Sequence, residues 1–422
     1  MRVRGPDPHR ARTAPARAYP TPSCGMAARV RAWLVVASLC FAGPTLAQSP
    51  TATTPIDWNT TARLLAGMKV DGDGRTGALA ARASLREHQG AMNEVWQAFA
   101  NRRLAPMRRF AQTELSPLPA AKGPVYYPFS GPDALHALAL FPDAREFLLT
   151  GLEPSGRLPD LEPMDEPTLR ASLALLRRSI SSVLSWSFFR TNDMKVDLRR
   201  NRLEGVAPIL LAFTARYGFE VTALEPFVLG SGSPVGAAPV TGQAAGTGMA
   251  ASSTGSGMTP TEAAHAVPSP LAGLRLRFRL PGETAERSIA YVPTDLSNAG
   301  LDARPEYIQW VKAARPAATM LKSASYLLHR GSFSRVRGLI LEQTALVVQD
   351  DSGIPWQHFA TDRWTPHLYG HYTHPIKLFA NRAQADLRSA YAKASPSPLP
   401  FAYGYNFQDG GNNLQRFTRQ DR

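Results

Sequence analysis

The run from Val125 to Pro154 constrains the fold of this chain more than any other stretch. It opens with the apolar triplet Val125-Tyr126-Tyr127 and turns at Ser130-Gly131-Pro132-Asp133. A short helical stretch up to Phe141 and a second apolar run from Glu146 to Gly151 follow. Strand, polar turn, helix and strand in this order predict the opening unit of a nucleotide-fold-like α/β sheet. Pro132 is expected as the first helical residue, with Ser130 or Gly131 capping.

Patterns elsewhere extend the same reading. Met92, Val95, Trp96 and Phe99 keep helical spacing and predict a covering helix, interrupted at Pro106. Leu169, Leu173, Leu176, Ile180, Val183 and Leu184 form one apolar stripe, and Leu203, Val206, Leu210, Phe213 and Tyr217 form another that Gly218 ends as a C-cap. Phe219 to Leu229 returns as strand. Leu274 to Leu280 (LRLRFRL) alternates with period two, as a half-exposed antiparallel or edge strand does. Strands are further expected at Ser288–Val292, Ala317–Ser323, Thr344–Gln349 and Trp364–Tyr372, and helices around Tyr307–Val311, over Phe333–Leu341 and from Pro375 through Tyr391.

Gly230 to Pro270 is a Gly, Ala, Ser and Thr tract too poor in apolar surface to order itself. Neither flank alone holds enough strands for a complete sheet. The tract is therefore read as a flexible insertion, with residues 48–229 and 271–422 the two parts of one domain. The expected class is a Rossmann-like three-layer α/β fold with a mixed, largely parallel sheet.

Residues 1–47 read as a signal peptide behind an N-terminal extension. Arg29 and Arg31 precede an apolar run from Ala32 to Ala42, and Thr45-Leu46-Ala47 supplies small residues for cleavage after Ala47. Met26 is an alternative start. The apolar run is shorter than the roughly 20 residues a spanning helix needs. A periplasmic or secreted chain without a transmembrane segment is expected. Both cysteines, Cys24 and Cys40, fall ahead of Ala47, so the remainder has no disulfide, thiolate nucleophile or cysteine ligand.

The formal charge of +14 falls to about +8 once the seven arginines and one aspartate ahead of Ala47 are set aside. The basic doublets, such as Arg102-Arg103 and Arg177-Arg178, lack the interleaved aromatics that stack bases. No nucleic-acid partner is expected. An anionic envelope polymer or a small molecule fits an exported basic chain better.

In sheets of this class ligands sit beyond the carboxyl ends of parallel strands. Those ends bring forward Ser130 and Asp133, Glu153, then Lys322, Ser323 and Ser325, and finally Asp350, Asp351 and Ser352. Adjacent Asp350 and Asp351 could pair as acid and base, with His358 or His371 assisting. The alternative is an Asx turn leading into Gly353. Ser130 to Asp133 makes a poor phosphate cradle, because it holds one glycine and Pro132 removes an amide. Glu153 stands where dinucleotide and methyl-donor enzymes place an acid for a ribose hydroxyl, but no glycine-rich turn precedes it. His367 and His371 are four residues apart on a predicted strand, about 13 Å, too far to share an ion. No metal or cofactor is called for. The chain also lacks G-x-S-x-G, H-E-x-x-H and P-loop motifs.

Seven blocks carry a resemblance: YPFSGPD (Tyr127–Asp133), FP (Phe141-Pro142), GLEP (Gly151–Pro154), KSASYLLH (Lys322–His329), QDDSGIP (Gln349–Pro355), LYGHY (Leu368–Tyr372) and PIKLF (Pro375–Phe379). With these the chain resembles a group of exported bacterial proteins of unknown function, over about residues 120 to 405. The resemblance implies no reaction. Three readings follow from the residues: a ligand-binding or envelope-associated protein, a hydrolase of an envelope polymer using Asp350 or Asp351, and a degenerate methyltransferase-like scaffold with an interaction role.

Overall fold

The computed structural model describes residues 56–186, 202–230, 270–405 and 411–420. The expected signal peptide, and residues 231–269 of the low-complexity tract, lie outside them. Among the described residues nine strands form one mixed sheet: β1 (Val125–Tyr127), β2 (Glu146–Gly151), β3 (Glu220–Val228), β4 (Ala272–Arg279), β5 (Arg287–Pro293), β6 (Ala318–Leu321), β7 (Leu346–Gln349), β8 (Trp364–Gly370) and β9 (Asn413–Arg419). Their order is β3-β4-β5-β2-β1-β6-β7-β9-β8. The central five, β5-β2-β1-β6-β7, run parallel, while β3-β4 on one flank and β9-β8 on the other add antiparallel pairs.

The chain builds outward from β1 to β2 and β5, then returns to the other side of β1 for β6 and β7. The order therefore reverses between β1 and β6, and chain connections leave those two strand ends in opposite directions. A crevice opens there. β3 and β4, which flank the low-complexity tract, are direct neighbours, and the Leu229 amide bonds the Leu271 carbonyl at 2.8 Å.

Helices cover both faces of the sheet. Alternate residues of a strand point to opposite sides, and here Val125, Tyr127, Phe147 and Leu149 join one buried cluster while Tyr126 and Leu148 join another. The first cluster packs under α1 (Trp58–Leu65), α2 (Gly74–Ala80), α3 (Ala83–Phe99), α4 (Ala105–Phe110), α5 (Ala134–Leu140), α6 (Glu166–Trp186) and α7 (Ala207–Tyr217). The second packs under α8 (Asn298–Asp302), α9 (Pro305–Ala314) and α10 (Ser334–Gln343). A small third cluster joins β8 to α11 (Ala385–Lys393) through Leu368, Tyr372, Leu387 and Tyr391. Among the described residues no helix is long and apolar enough to cross a membrane.

Several local expectations need correction. The helix around Pro106 continues, with π turns at Ala100–Leu104 and Ala111–Leu115 on either side of α4 taking up the irregularity that the missing amide introduces. Gly218 does end α7, at φ +104°. The cap of α5 is Asp133 rather than Ser130 or Gly131, since its carboxylate accepts from the His136 amide. The last helix is split. A 3₁₀ segment over Lys377–Arg382 precedes α11. LRLRFRL is antiparallel as expected but paired on both sides, with Arg275 lying over the Phe227 ring.

Candidate functional site

The crevice at the β1/β6 reversal is a cavity of about 140 Å³. From the β1 end it is lined by Tyr127, Phe129, Ser130, Gly131 and Asp133, and from the β2 end by Gly151, Leu152 and Glu153. Thr294, Asp295 and Leu296 follow β5. Lys322, Ser323, Ala324, Ser325 and Leu327 follow β6, and Phe333 closes one side. Six residues singled out from the sequence, Ser130, Asp133, Glu153, Lys322, Ser323 and Ser325, thus border one cavity.

The floor is a buried charge network. Asp133 Oδ1 accepts from His136 Nδ1 at 2.7 Å, and Oδ2 accepts from the Tyr127 hydroxyl at 3.0 Å. Lys322 Nζ lies 2.6 Å from the same Oδ2 with both side chains buried. Burial alone would raise the Asp133 carboxyl, but the charges and hydrogen bonds of His136 and Lys322 outweigh it and hold Asp133 below the usual carboxylate range. Burial lowers both cationic partners, His136 and Lys322, against the pull of Asp133. The contact with Asp133 Oδ2 occupies one of the three N–H donors of the Lys322 ammonium. Ser323 Oγ is buried with no partner.

The β1 turn is stitched to β2 rather than opened toward a ligand. The amides of Ser130 and Gly131 both donate to the Thr150 carbonyl, and Ser130 Oγ accepts from the Thr150 amide at 3.1 Å. A phosphate would find no amide cradle here. Glycine is needed at two positions. Gly131 has φ +52°, and a methyl group at Gly151 would stand 2.5 Å from Glu153 Oε2 and 2.8 Å from Gly131 Cα. These two glycines let the buried Glu153 carboxylate lie against the turn.

The β6 end is held in an unusual backbone conformation. Ser323, Ser325 and Tyr326 all have φ between +52° and +54°, and Phe129 across the cavity has φ +61°. Side chains rarely tolerate this region, and such residues persist only where surroundings over-determine them. The surroundings here come from β7 and from the segment before β9. Asp350 Oδ2 accepts from the Ser323 amide at 3.1 Å, and Ser352 Oγ accepts from the Ala324 amide at 2.7 Å. The Tyr405 hydroxyl donates to the Ser323 carbonyl at 2.8 Å.

Asp350, Asp351 and Ser352 themselves do not line the cavity. Asp350 Oδ1 accepts from the amide and hydroxyl of Ser352, an Asx turn, and burial raises its carboxyl above the usual range. Asp351 accepts from the Tyr326 hydroxyl and from Asn413 Nδ2. His358 sits half-buried in the 3₁₀ turn Trp356–His358, lowered by burial and by Arg337. His371 is exposed. Neither histidine borders the cavity. The structure therefore gathers the strand-end residues of β1, β2 and β6 and leaves this second group outside.

Several participants escaped the sequence reading. His136 had a signal, its i, i+3 spacing from Asp133 on one helix start. Asp295 also had one, as the first carboxylate after β5. Tyr405, Phe129 and Phe333 had none, because their places depend on distant chain segments. Among the described residues no group of three or more His, Cys, Asp or Glu could hold a metal ion. Compared with known proteins, the chain matches no family model, no curated protein and no solved structure.

Proposed function

We propose that this chain is an exported binding protein for a small polar molecule, held in the cavity at the β1/β6 reversal. One observation carries the reading: polar groups from the carboxyl ends of four strands converge on that cavity around spare donors on Lys322 and Ser323. The left-handed residues at its rim support it, since conformational strain concentrates where ligands bind.

A thermal-shift screen of the full chain against small neutral, anionic and zwitterionic molecules tests the reading. A true ligand raises the melting temperature with its concentration. Glu153→Gln and Ser323→Ala should abolish the rise. Hits unaffected by both variants, or a screen without hits, would refute the proposal.

A second reading keeps the methyltransferase-like scaffold. It is favoured by the strand order β5-β2-β1-β6-β7-β9-β8 with β9 reversed, a Rossmann-like arrangement, and by Glu153 ending the second strand as a ribose-binding acid does. S-adenosylhomocysteine is its probe. Saturable binding lost in Glu153→Gln would favour it over the first reading.

A further inference from the structure

Lys322 is a buried lysine that the hydrogen bonding of the cavity floor does not call for. Asp133 Oδ1 already accepts from the His136 ring nitrogen at 2.7 Å and from the His136 amide at 3.3 Å, and Oδ2 accepts from the Tyr127 hydroxyl at 3.0 Å. Fully buried lysines are rare, because stripping water from an ammonium is costly. Beyond its 2.6 Å contact with Asp133, Lys322 Nζ has no hydrogen-bond partner among the described residues. Lys322 lines the cavity beside Ser323, whose Oγ has no partner either. We propose that Lys322 condenses with a small neutral aldehyde or ketone held in the cavity, forming a Schiff base whose counterion is Asp133. This rests on the binding reading above and specifies its ligand.

The exchange balances without any further reactant. One ammonium proton passes to Asp133 Oδ2, the freed Nζ lone pair attacks the carbonyl carbon, and the carbonyl oxygen takes that proton. A second Nζ proton follows by way of the same carboxylate, the C–O bond breaks, and water leaves. An N=C bond has then replaced C=O, and the iminium keeps one N–H and the positive charge. Asp133 faces a cation before and after, so it is never left as a buried charge without its partner. Burial draws the Lys322 amine below its usual range despite Asp133, which eases the first transfer. The Tyr127 hydroxyl, pushed far up by burial, keeps its proton and its bond to Oδ2.

Size, polarity and access narrow the ligand. The volume of about 140 Å³ suits a molecule of four to seven heavy atoms or so, since a cavity of about 150 Å³ admits benzene. Phe129 and Phe333, with ring centroids 6.0 Å apart, and Leu296 and Leu327 offer an apolar wall to an alkyl or aryl group. A carbonyl oxygen accepts the proton that the Ser323 hydroxyl has to donate. The Lys322 and Asp133 pair is neutral as a whole, so a neutral ligand adds no buried charge that lacks a partner. Leu152 lines the same cavity and is 58% exposed, so the cavity meets the surface at the end of β2. An alcohol of equal size could fill the space but offers Nζ no electrophilic carbon.

Reductive trapping on the full chain tests this with butanal, isobutyraldehyde and benzaldehyde. Cyanoborohydride reduces an iminium to a stable secondary amine, which peptide mass spectrometry locates. With at least one aldehyde, Lys322 should be alkylated about tenfold or more faster than the exposed Lys377 and Lys393, at a rate that saturates with aldehyde. The matching alcohol should slow Lys322 and leave the two exposed lysines unchanged. Ser323→Ala should slow Lys322 about fivefold, the loss of one hydrogen bond, again without touching the exposed pair. Lys322 alkylated no faster than Lys377 and Lys393, or not at all with any of the three aldehydes, would overturn the proposal. The natural chain suffices for that comparison, so no lysine variant has to fold. If Lys322 stays unalkylated while butanol, isobutanol or benzyl alcohol raises the melting temperature, the Schiff base is lost and the binding site stands. If nothing is trapped at Lys322 and no molecule of the thermal-shift screen binds, both are lost.

Discussion

Asp133 shows how one residue serves both fold and site. It caps α5, pairs with Lys322 from β6 and takes hydrogen bonds from His136 and Tyr127, all without solvent. A buried pair contributes little over an apolar replacement, yet losing one partner is expensive because the other charge stays behind. Lys322→Met should therefore cost about 3–5 kcal/mol. Adding Asp133→Asn should recover part of that loss, with a coupling of at least about 1 kcal/mol in denaturant titrations. Additive effects would mean that the two side chains do not share their charge. The stability tied to Asp133, whose carboxyl is held low, is present above the usual carboxylate range and disappears only as pH falls through the depressed value. From the sequence Asp133 was legible as a strand-end residue. Lys322 was legible in the same way, but the pairing of the two was not, because their strands become neighbours only in the folded sheet.

Among the elements, the segment after β6 depends most on its neighbours. Ser323, Ser325 and Tyr326 adopt left-handed backbone that their own side chains disfavour, and Asp350, Ser352 and Tyr405 supply the bonds that keep it there. Asp350→Ala leaves the Ser323 amide without its acceptor and should destabilise the protein by about 1–3 kcal/mol. Hydrogen exchange at the Ser323 and Ala324 amides should rise at least tenfold, and unchanged exchange would show that Asp350 does not hold the segment. The sequence marked Asp350 as a strand-end carboxylate and weighed acid–base chemistry against a turn. Only the fold shows that its oxygens face the neighbouring strand end.

Long periodic elements were the easiest to read. The stripe of α6 is a property of local spacing and the structure keeps it, whereas α7 is buried on every side from Ala207 to Ala215 and β4 is buried without alternation from Gly273 to Leu276. β9 passed unread. It inserts between β7 and β8, and Asn413-Leu414-Gln415 are all buried, so no alternation marks it. Pro106 and Pro375 misled in opposite ways. π turns let a helix run on past the first, and the stretch after the second broke into a 3₁₀ segment.

For the molecule as a whole, stability should depend on pH through a histidine far from the cavity. His88 on α3 is fully buried, with Nε2 donating to the Leu65 carbonyl of α1 and Nδ1 facing Arg177 of α6. Burial brings it down to about 4, helped by Arg177 and Arg216 and opposed by the Leu65 carbonyl and Glu87. The unfolded chain binds this proton first as pH falls below about 6.5, so stability should rise with pH between about 4 and 6.5. The contribution is up to about 3 kcal/mol. Urea midpoints measured across that range should slope upward, and His88→Gln should flatten them. An equal slope in the variant would place the titration elsewhere.

The α/β class and the candidate strand-end residues could be taken from the sequence alone, because apolar period, turn residues and caps are local and survive without tertiary context. Strand order could not, nor could the choice of which polar residues share a cavity. Those are decided by where connections cross the sheet, and only packing of both helical layers brings the ends of β1, β2, β5 and β6 together while turning Asp350 and Asp351 toward the frame.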